Sequence, residues 1–327
     1  MTDNRTWFKQ AKFGLMVHFG LYALLGGEYR GRRMGKFIGE WIQPYFRIKN
    51  AEYERLAGAF NPLYFDADEW VSIAEDCGAK YLVVTSKHHE GFALFDSKAD
   101  PFNSVQAAPF KRDLIGELAD ACARRNFRLG LYYSQALDWH EPDGGGYEAS
   151  CGDNLGLPWC NDWDYPDASA KNYDRCFEKK IYPQVEEIVT RYGDLALLWF
   201  DTPFSISGQQ SLALYELVKK HQPDCLINSR LGNIDAGADT YKFDYRSWGD
   251  NEIPAAYMKD GLFETPATLN DTWGYKSYDQ NWKSADEVRA LRDHLNERGI
   301  NYLLNVGPDP LGRFPAAAQE ILRQLSK

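Results

Sequence analysis

Six side chains able to do chemistry follow apolar runs along the chain. His18 ends the run at 12–19 (KFGLMVHF), and His88 and His89 follow 80–86 (KYLVVTS). Tyr133 ends 128–133 (RLGLYY), Asp201 follows 195–200 (LALLWF), and Arg230 follows 225–229 (CLINS). Short apolar runs bounded by turn residues read as buried parallel strands. In an α/β barrel the C-terminal ends of such strands carry the active groups. Parallel strands would therefore bring all six residues to one face. Trp199 lies two residues before Asp201, so both project from the same side of the strand. On this stretch alone, Asp201 reads equally as a nucleophile or as a turn cap.

Two chemistries compete for the set. Three histidines and an aspartate can hold zinc for hydrolysis. Against this, His18-Phe19-Gly20 lacks the H-x-H spacing of a barrel metal site, and adjacent His88 and His89 point to opposite sides of an extended chain. Glycoside hydrolysis needs two carboxyl groups, hydrogen-bonding groups for hydroxyls, and aromatic walls. Histidine and tyrosine each donate and accept, which suits sugar hydroxyls. This chemistry fits better, and it needs neither metal nor cofactor.

The elements that position these residues are legible. Helical spacing covers 51–59 and 67–75, and 113–125 places Ile115, Leu118, Ala119 and Cys122 on one face. Residues 172–191 form a helix with a kink expected at Pro183, and 210–221 a helix stopped by Pro223. Weaker strands fall at 243–247 and 265–269. Ser284 and Glu287 form a capping box that opens a helix through 298, with Gly299 as its stop. A last strand, 300–306, precedes a closing helix at 315–325. Alternating strands and helices, with roughly eight strands, give an α/β fold of the (β/α)8 type. Strands six and seven lack helices directly after them, so irregularity is expected in the second half. Nothing resembles a linker, so residues 1–327 read as one barrel domain. The loop at 138–167, rich in Gly, Asp and Trp, is long enough to be functional.

Composition narrows the partners. A formal net charge of −10 argues against nucleic acid and anionic membranes. No run approaches the ~18 apolar residues of a membrane span, and the N-terminus lacks a signal-like apolar region. A cytoplasmic protein is expected. Ten Trp and 20 Tyr supply aromatic faces of the kind sugars stack on. Cys77, Cys122 and Cys225 read as buried thiols. Cys151 and Cys160 share a loop, where free thiols are expected in a cytosol.

The chain resembles the α-L-fucosidases of glycoside hydrolase family 29. The matching stretches are WFKQAKFGLMVHFG at 7–20, Glu40-Trp41, YLVVTSKHHEGF at 81–92, RDL at 112–114, GLYYS at 130–134, LWFD at 198–201, NSR at 228–230, TWGY at 272–275 and LLNVGP at 303–308. The resemblance implies a retaining double displacement on fucosylated oligosaccharides or glycoconjugates, with Asp201 as nucleophile. It implies a fucose pocket lined by His18, Glu40, Trp41, His88, His89, Tyr133, Trp199 and Arg230. Arg230 would supply positive charge beside Asp201, and aromatic side chains would meet the C5 methyl of fucose.

The family places its acid/base after the strand-five arginine. Asp250, Glu252, Glu264 and Glu40 compete for it. Glu252, on the loop 249–254 after strand six, is expected to take the role. Glu264, beside a strand, reads better as a hydrogen-bond anchor. Two departures stand out: the chain ends without the C-terminal β-sandwich of many members, and Thr202-Pro203 follows the nucleophile where many have Gly. Within this frame a metal-dependent barrel hydrolase and a non-catalytic carbohydrate-binding relative are the alternatives. Assembly into a homo-oligomer stays open.

Overall fold

The apolar runs become strands because they leave no polar face for solvent. The computed structural model describes residues 3–150, 154, 156–233 and 239–325. Its strands are β1 (Phe13–Val17), β2 (Glu28–Tyr29), β3 (Arg32–Arg33), β4 (Tyr81–Lys87), β5 (Arg128–Tyr133), β6 (Leu197–Phe200), β7 (Leu226–Ile227), β8 (Arg246–Ser247), β9 (Phe263–Thr268) and β10 (Asn301–Val306). Eight of them form one parallel sheet in the order β7-β6-β5-β4-β1-β10-β9-β8, while β2 and β3 pair as a separate hairpin. Each expected strand, 243–247 and 265–269 included, overlaps one of these eight.

The strand order bends the sheet towards closure, and the two ends almost meet. β7 and β8 are each two residues long, and among the described residues a single isolated bridge, Asn228 to Tyr245, runs between them. Asp244 reinforces that line. Its carboxylate accepts from the Ile227 amide at 3.0 Å and is ion-paired with Lys219 and Arg5.

Alternation along the strands sorts side chains into two layers. Met16, Val83, Tyr132, Leu197, Trp199, Leu226 and Leu303 belong to an inner cluster. Leu15, Val17, Leu82, Val84, Leu131, Leu198 and Leu304 belong to an outer one shared with the helices. The helix Asn4–Ala11, capped by Asp3, adds Phe8 to the inner cluster, its ring 4.8 Å from that of Tyr245.

The helices Ala67–Asp76, Leu114–Arg125 and Gly208–His221 match expectation, as do Ala285–Glu297 and Ala316–Leu325. Both capping boxes, at Ser207/Gln210 and Ser284/Glu287, are formed. The stretch after 172 differs in detail. A turn at Tyr173–Cys176 passes into a π-helical segment, Phe177–Ile181, before the α-helix Tyr182–Arg191. The irregularity thus lies before Pro183, which has no N–H to donate back into the preceding turn. Between β7 and β9 there is no α-helix among the described residues, in keeping with the expected irregular second half. Cys77, Cys122 and Cys225 are buried, and burial pushes each thiol up to about 12. Cys151 lies outside the described residues. Among the described residues no helix is long and apolar enough to cross a membrane.

Candidate active site

The strand ends open into a cavity of about 360 Å³. His18, Glu40, Trp41, His88, His89, Trp199, Asp201 and Arg230 line it, together with Tyr132, Trp273 and Asp250. Seven of the eight expected fucose-pocket residues thus meet in one place, with the expected nucleophile among them. Tyr133 does not, and Glu252 does not.

Tyr133 is a correction of phase. Tyr132 pairs with Trp199 and Tyr133 with Phe200 between β5 and β6. Trp199 faces inward, so Tyr132 does too, stacked on it at 5.6 Å and 19°. Tyr133 faces the helices, its hydroxyl donating to Gln184 at 2.8 Å. Glu252 is turned away from the cavity by its own turn. Its exposed carboxylate folds back to accept from the Gly249 amide at 2.9 Å. Asn251 fixes that turn, with a φ of 56° and a carboxamide oxygen that accepts from Thr268 on β9.

Arg230 organises the charges. One terminal nitrogen donates to Asp201 at 2.9 Å, and the other to Asp250 at 2.6 Å. The second also donates to the Trp248 carbonyl at 2.7 Å, and the guanidinium lies 4.6 Å over the Trp199 ring. Burial works against its charge, but the carboxylates of Asp250 and Asp201 outweigh burial and hold it above its ordinary range. Tyr132 donates to the other oxygen of Asp201 at 2.9 Å. The Gln135 side chain accepts from the Asp201 amide at 2.9 Å. Asp201 is thereby oriented from three sides, with one oxygen on a cation and one on a phenol.

Burial disfavours a charge on the three pocket histidines. Burial holds His18 down to about 4, and burial with neighbouring positive groups holds His88 and His89 well below the usual range. Their tautomers follow from their partners. The Asn305 amide nitrogen donates to the Trp273 carbonyl, so its oxygen, 2.7 Å from His18 Nδ1, accepts a proton from that nitrogen. The Ser134 hydroxyl donates to the Leu137 carbonyl, so it accepts from His89 Nδ1 at 2.6 Å. Both rings therefore keep Nε2 as an acceptor, and that of His89 lies 3.7 Å from Asp201. His88 and His89 occupy a turn after β4, which brings their rings to 4.1 Å rather than to opposite sides.

Two buried glutamates brace this wall. Glu90 accepts from the Leu21 and Tyr22 amides at 2.8 and 3.2 Å and from the Tyr53 hydroxyl. A Cβ on Gly20 would stand 2.2 Å from its oxygen, so the turn after His18 requires glycine there. Glu40, pushed up by burial to about 7, accepts from the Gly274 amide at 2.8 Å and ties Trp41 to the Trp273 loop.

Glu264 lies beneath the pocket, wholly buried, and is the anchor that its place beside a strand suggested. It accepts from Trp199 Nε1 at 2.9 Å and from the Tyr81 hydroxyl at 2.6 Å. Burial outweighs these bonds and raises it to about 7. The folded state therefore holds a proton that the unfolded state has released between pH ~4.5 and ~7. The stabilisation is complete below that window and is lost as pH rises through it. The shift corresponds to at most about 3 kcal/mol. Glu264→Gln keeps a neutral group at every pH. Urea unfolding at pH 5 and pH 8 should show the variant losing less stability across the interval than the parent. Parallel losses would refute the assignment.

Sequence reading gave no role to Tyr132 and Trp273, although both sit in quoted stretches (GLYYS and TWGY). Trp159 and Phe204, to which it likewise gives no role, also line the cavity, as does Pro203. Only strand register and the course of the long loop reveal them.

The family model for Alpha-L-fucosidase matches residues 2–327. The fold superposes on the α-L-fucosidase AlfC from Lactobacillus casei, solved with α-L-fucose product. The TM-score is 0.92 at 53% identity, over 99% of this chain and 97% of that one. A variant of AlfC in complex with Fuca(1,6)GlcNAc gives the same values. An α-L-fucosidase from Vibrio sp. strain EJY3 matches with a TM-score of 0.91 at 35% identity, over 98% of this chain and 54% of its own. A putative α-L-fucosidase of Caenorhabditis elegans is 27% identical over 99% of this chain and 65% of its own length. The chain thus spans about two thirds of the length of such curated relatives.

Proposed function

The chain belongs to the family of α-L-fucosidases, which are glycoside hydrolases, and from that premise we propose that it removes terminal α-L-fucose from glycosides by double displacement. The observation that carries this reading is the Arg230 guanidinium gripping two carboxylates, Asp201 and Asp250, in a pocket walled by histidines and aromatic rings. One guanidinium shared by two carboxylates suits the ~5–5.5 Å separation of retaining glycosidases. Asp201 attacks the anomeric carbon as the glycosidic bond breaks, and a covalent fucosyl-enzyme forms. Asp250 takes the acid/base role expected of Glu252. Entering the step as the carboxylic acid, it protonates the departing oxygen and becomes the carboxylate that Arg230 pairs with, then takes a proton back from the water that cleaves the intermediate.

His18 and His89 receive sugar hydroxyl protons on Nε2, and the Trp199, Tyr132 and Trp273 rings pack around the rest of the sugar. Engagement of Nδ1 in fixed bonds suits hydroxyl recognition, and neither the metal-dependent hydrolase nor the non-catalytic relative is favoured. Fuca(1,6)GlcNAc, held by a variant of AlfC, is the disaccharide we put forward as the model substrate. Release of nitrophenol from an aryl α-L-fucoside, with NMR showing α-L-fucose as first product, tests the reading. First formation of β-L-fucose would refute retention.

The histidine roles have their own test. His18→Phe or His89→Phe keeps a ring but removes an acceptor from a buried hydroxyl, and should lower kcat/KM by roughly 10- to 100-fold. Both KM and kcat should move, because these bonds tighten in the transition state. Loss restored by added zinc would instead assign the rings to a metal.

A further inference from the structure

The cavity has a second set of walls at its mouth. Trp159, from the long loop, and Phe204, three residues after Asp201, are half-buried and line it. Their rings meet edge-on at 4.7 Å, and Trp159 also meets Trp41 at 5.4 Å. Asp250 lines the same cavity with about half of its side chain exposed, 49%. The acid/base stands on the side from which a leaving group departs, so the mouth is where the rest of the substrate lies.

The chain goes to unusual lengths to put Phe204 there. Thr202 has a φ of 49° and Ser205 of 64°. A left-handed conformation at a β-branched residue is a genuine outlier, and such strain gathers at functional sites. The turn is held from outside. The Ser205 hydroxyl accepts from the Gly146 amide at 2.8 Å and donates to the Glu148 carboxylate. A Cβ on Gly145 would stand 2.9 Å from the Phe204 carbonyl, so the long loop must be glycine where it crosses the turn. Trp159 is fixed in turn: its carbonyl accepts from Trp139 Nε1 at 2.7 Å, and its own Nε1 donates to the Ser150 carbonyl at 3.1 Å.

We propose that Trp159 and Phe204 form the seat of the second sugar, the ring that carries the fucose, and that the strained turn at residues 202–205 holds Phe204 in place. The inference rests on the fucosidase reading. A hexopyranose offers a face of C–H groups that packs against aromatic rings while its edge stays hydrated. A rigid aromatic pair supplies such contact at small entropic cost.

Calorimetry in an Asp201→Ala background, where turnover is blocked, separates the two rings of the substrate. The ratio of the Kd for fucose to that for Fuca(1,6)GlcNAc measures what the second ring adds. Trp159→Ala and Phe204→Ala should each shrink that ratio by about tenfold, with the fucose Kd held within about twofold. Trp159→Phe and Phe204→Tyr should restore most of it. A ratio that both alanine variants leave untouched, or a parental ratio of one, overturns the proposal. Equal weakening of fucose and disaccharide also overturns it, since the rings would then serve the fucose pocket or the fold. Failure of both sugars to bind the Asp201→Ala parent would sink the fucosidase reading together with the proposal.

Discussion

Asp201→Gly should lower kcat on an aryl α-L-fucoside by roughly four orders of magnitude or more. The carboxylate is held by Arg230 at 2.9 Å and Tyr132 at 2.9 Å, with the Gln135 side chain at 2.9 Å fixing its amide. A group so restrained forms a bond without first being ordered, an advantage lost whole with the side chain. The fold should survive, because Arg230 keeps Asp250 and the Trp248 carbonyl. Unchanged circular dichroism and Tm would separate lost chemistry from lost structure. Azide should enter the vacated space and yield β-L-fucosyl azide, by inversion. A 2-fluorofucosyl inactivator should label Asp201 in the parent protein. A label on another carboxylate in peptide mapping, or activity within tenfold of the parent, would remove Asp201 from the role.

Asp250→Ala should leave a different signature. Loss of general acid catalysis costs roughly 10²- to 10⁴-fold, and it falls on substrates whose leaving group needs a proton. Fuca(1,6)GlcNAc should be crippled, while dinitrophenyl α-L-fucoside still forms the fucosyl-enzyme. Azide should then speed turnover and give α-L-fucosyl azide, with net retention, the opposite anomer to that from Asp201→Gly. Glu252→Ala should stay within about threefold on both substrates, since its carboxylate binds only its own turn and lies outside the cavity lining. If Glu252→Ala gave the azide pattern, the loop would have to swing that carboxylate into the pocket. If Glu40→Ala gave it, the acid would be the buried glutamate beside Trp41. Either result would displace Asp250.

The sequence was most legible where burial is complete. An apolar run such as LLWF has no solvated face, so its strand, and the carboxylate at its end, could be located without knowing any neighbour. Phase is another matter. RLGLYY ends in two tyrosines of equal standing, and only pairing with β6 shows that the first shares the face of Trp199. Strand register is a property of two segments, and neither contains it alone. Which carboxylate of the 249–254 loop faces the cavity turns on a smaller scale. Asp250 and Glu252 are two residues apart, and the turn at Asn251, tethered to β9, decides which faces the pocket. The mouth was hidden for a third reason: Trp159 reaches it through a long loop with no period, and Phe204 through backbone angles that favour glycine.

The near-closure of the sheet has a mechanical consequence. Most ladders around the barrel run for several residues, but among the described residues the join between β7 and β8 is a single bridge at Asn228 and Tyr245. Around it the Asp244 carboxylate and the Asp244 and Tyr245 amides supply the remaining bonds to Ile227. Asp201 stands on one side of the join, at the end of β6, and Asp250 on the other, beyond β8. Arg230 follows β7 on the lip itself. The gap between the two carboxylates is therefore gauged across a slit rather than along a continuous ladder, and the guanidinium acts as the clasp. A barrel sealed here by longer strands would grip harder and flex less.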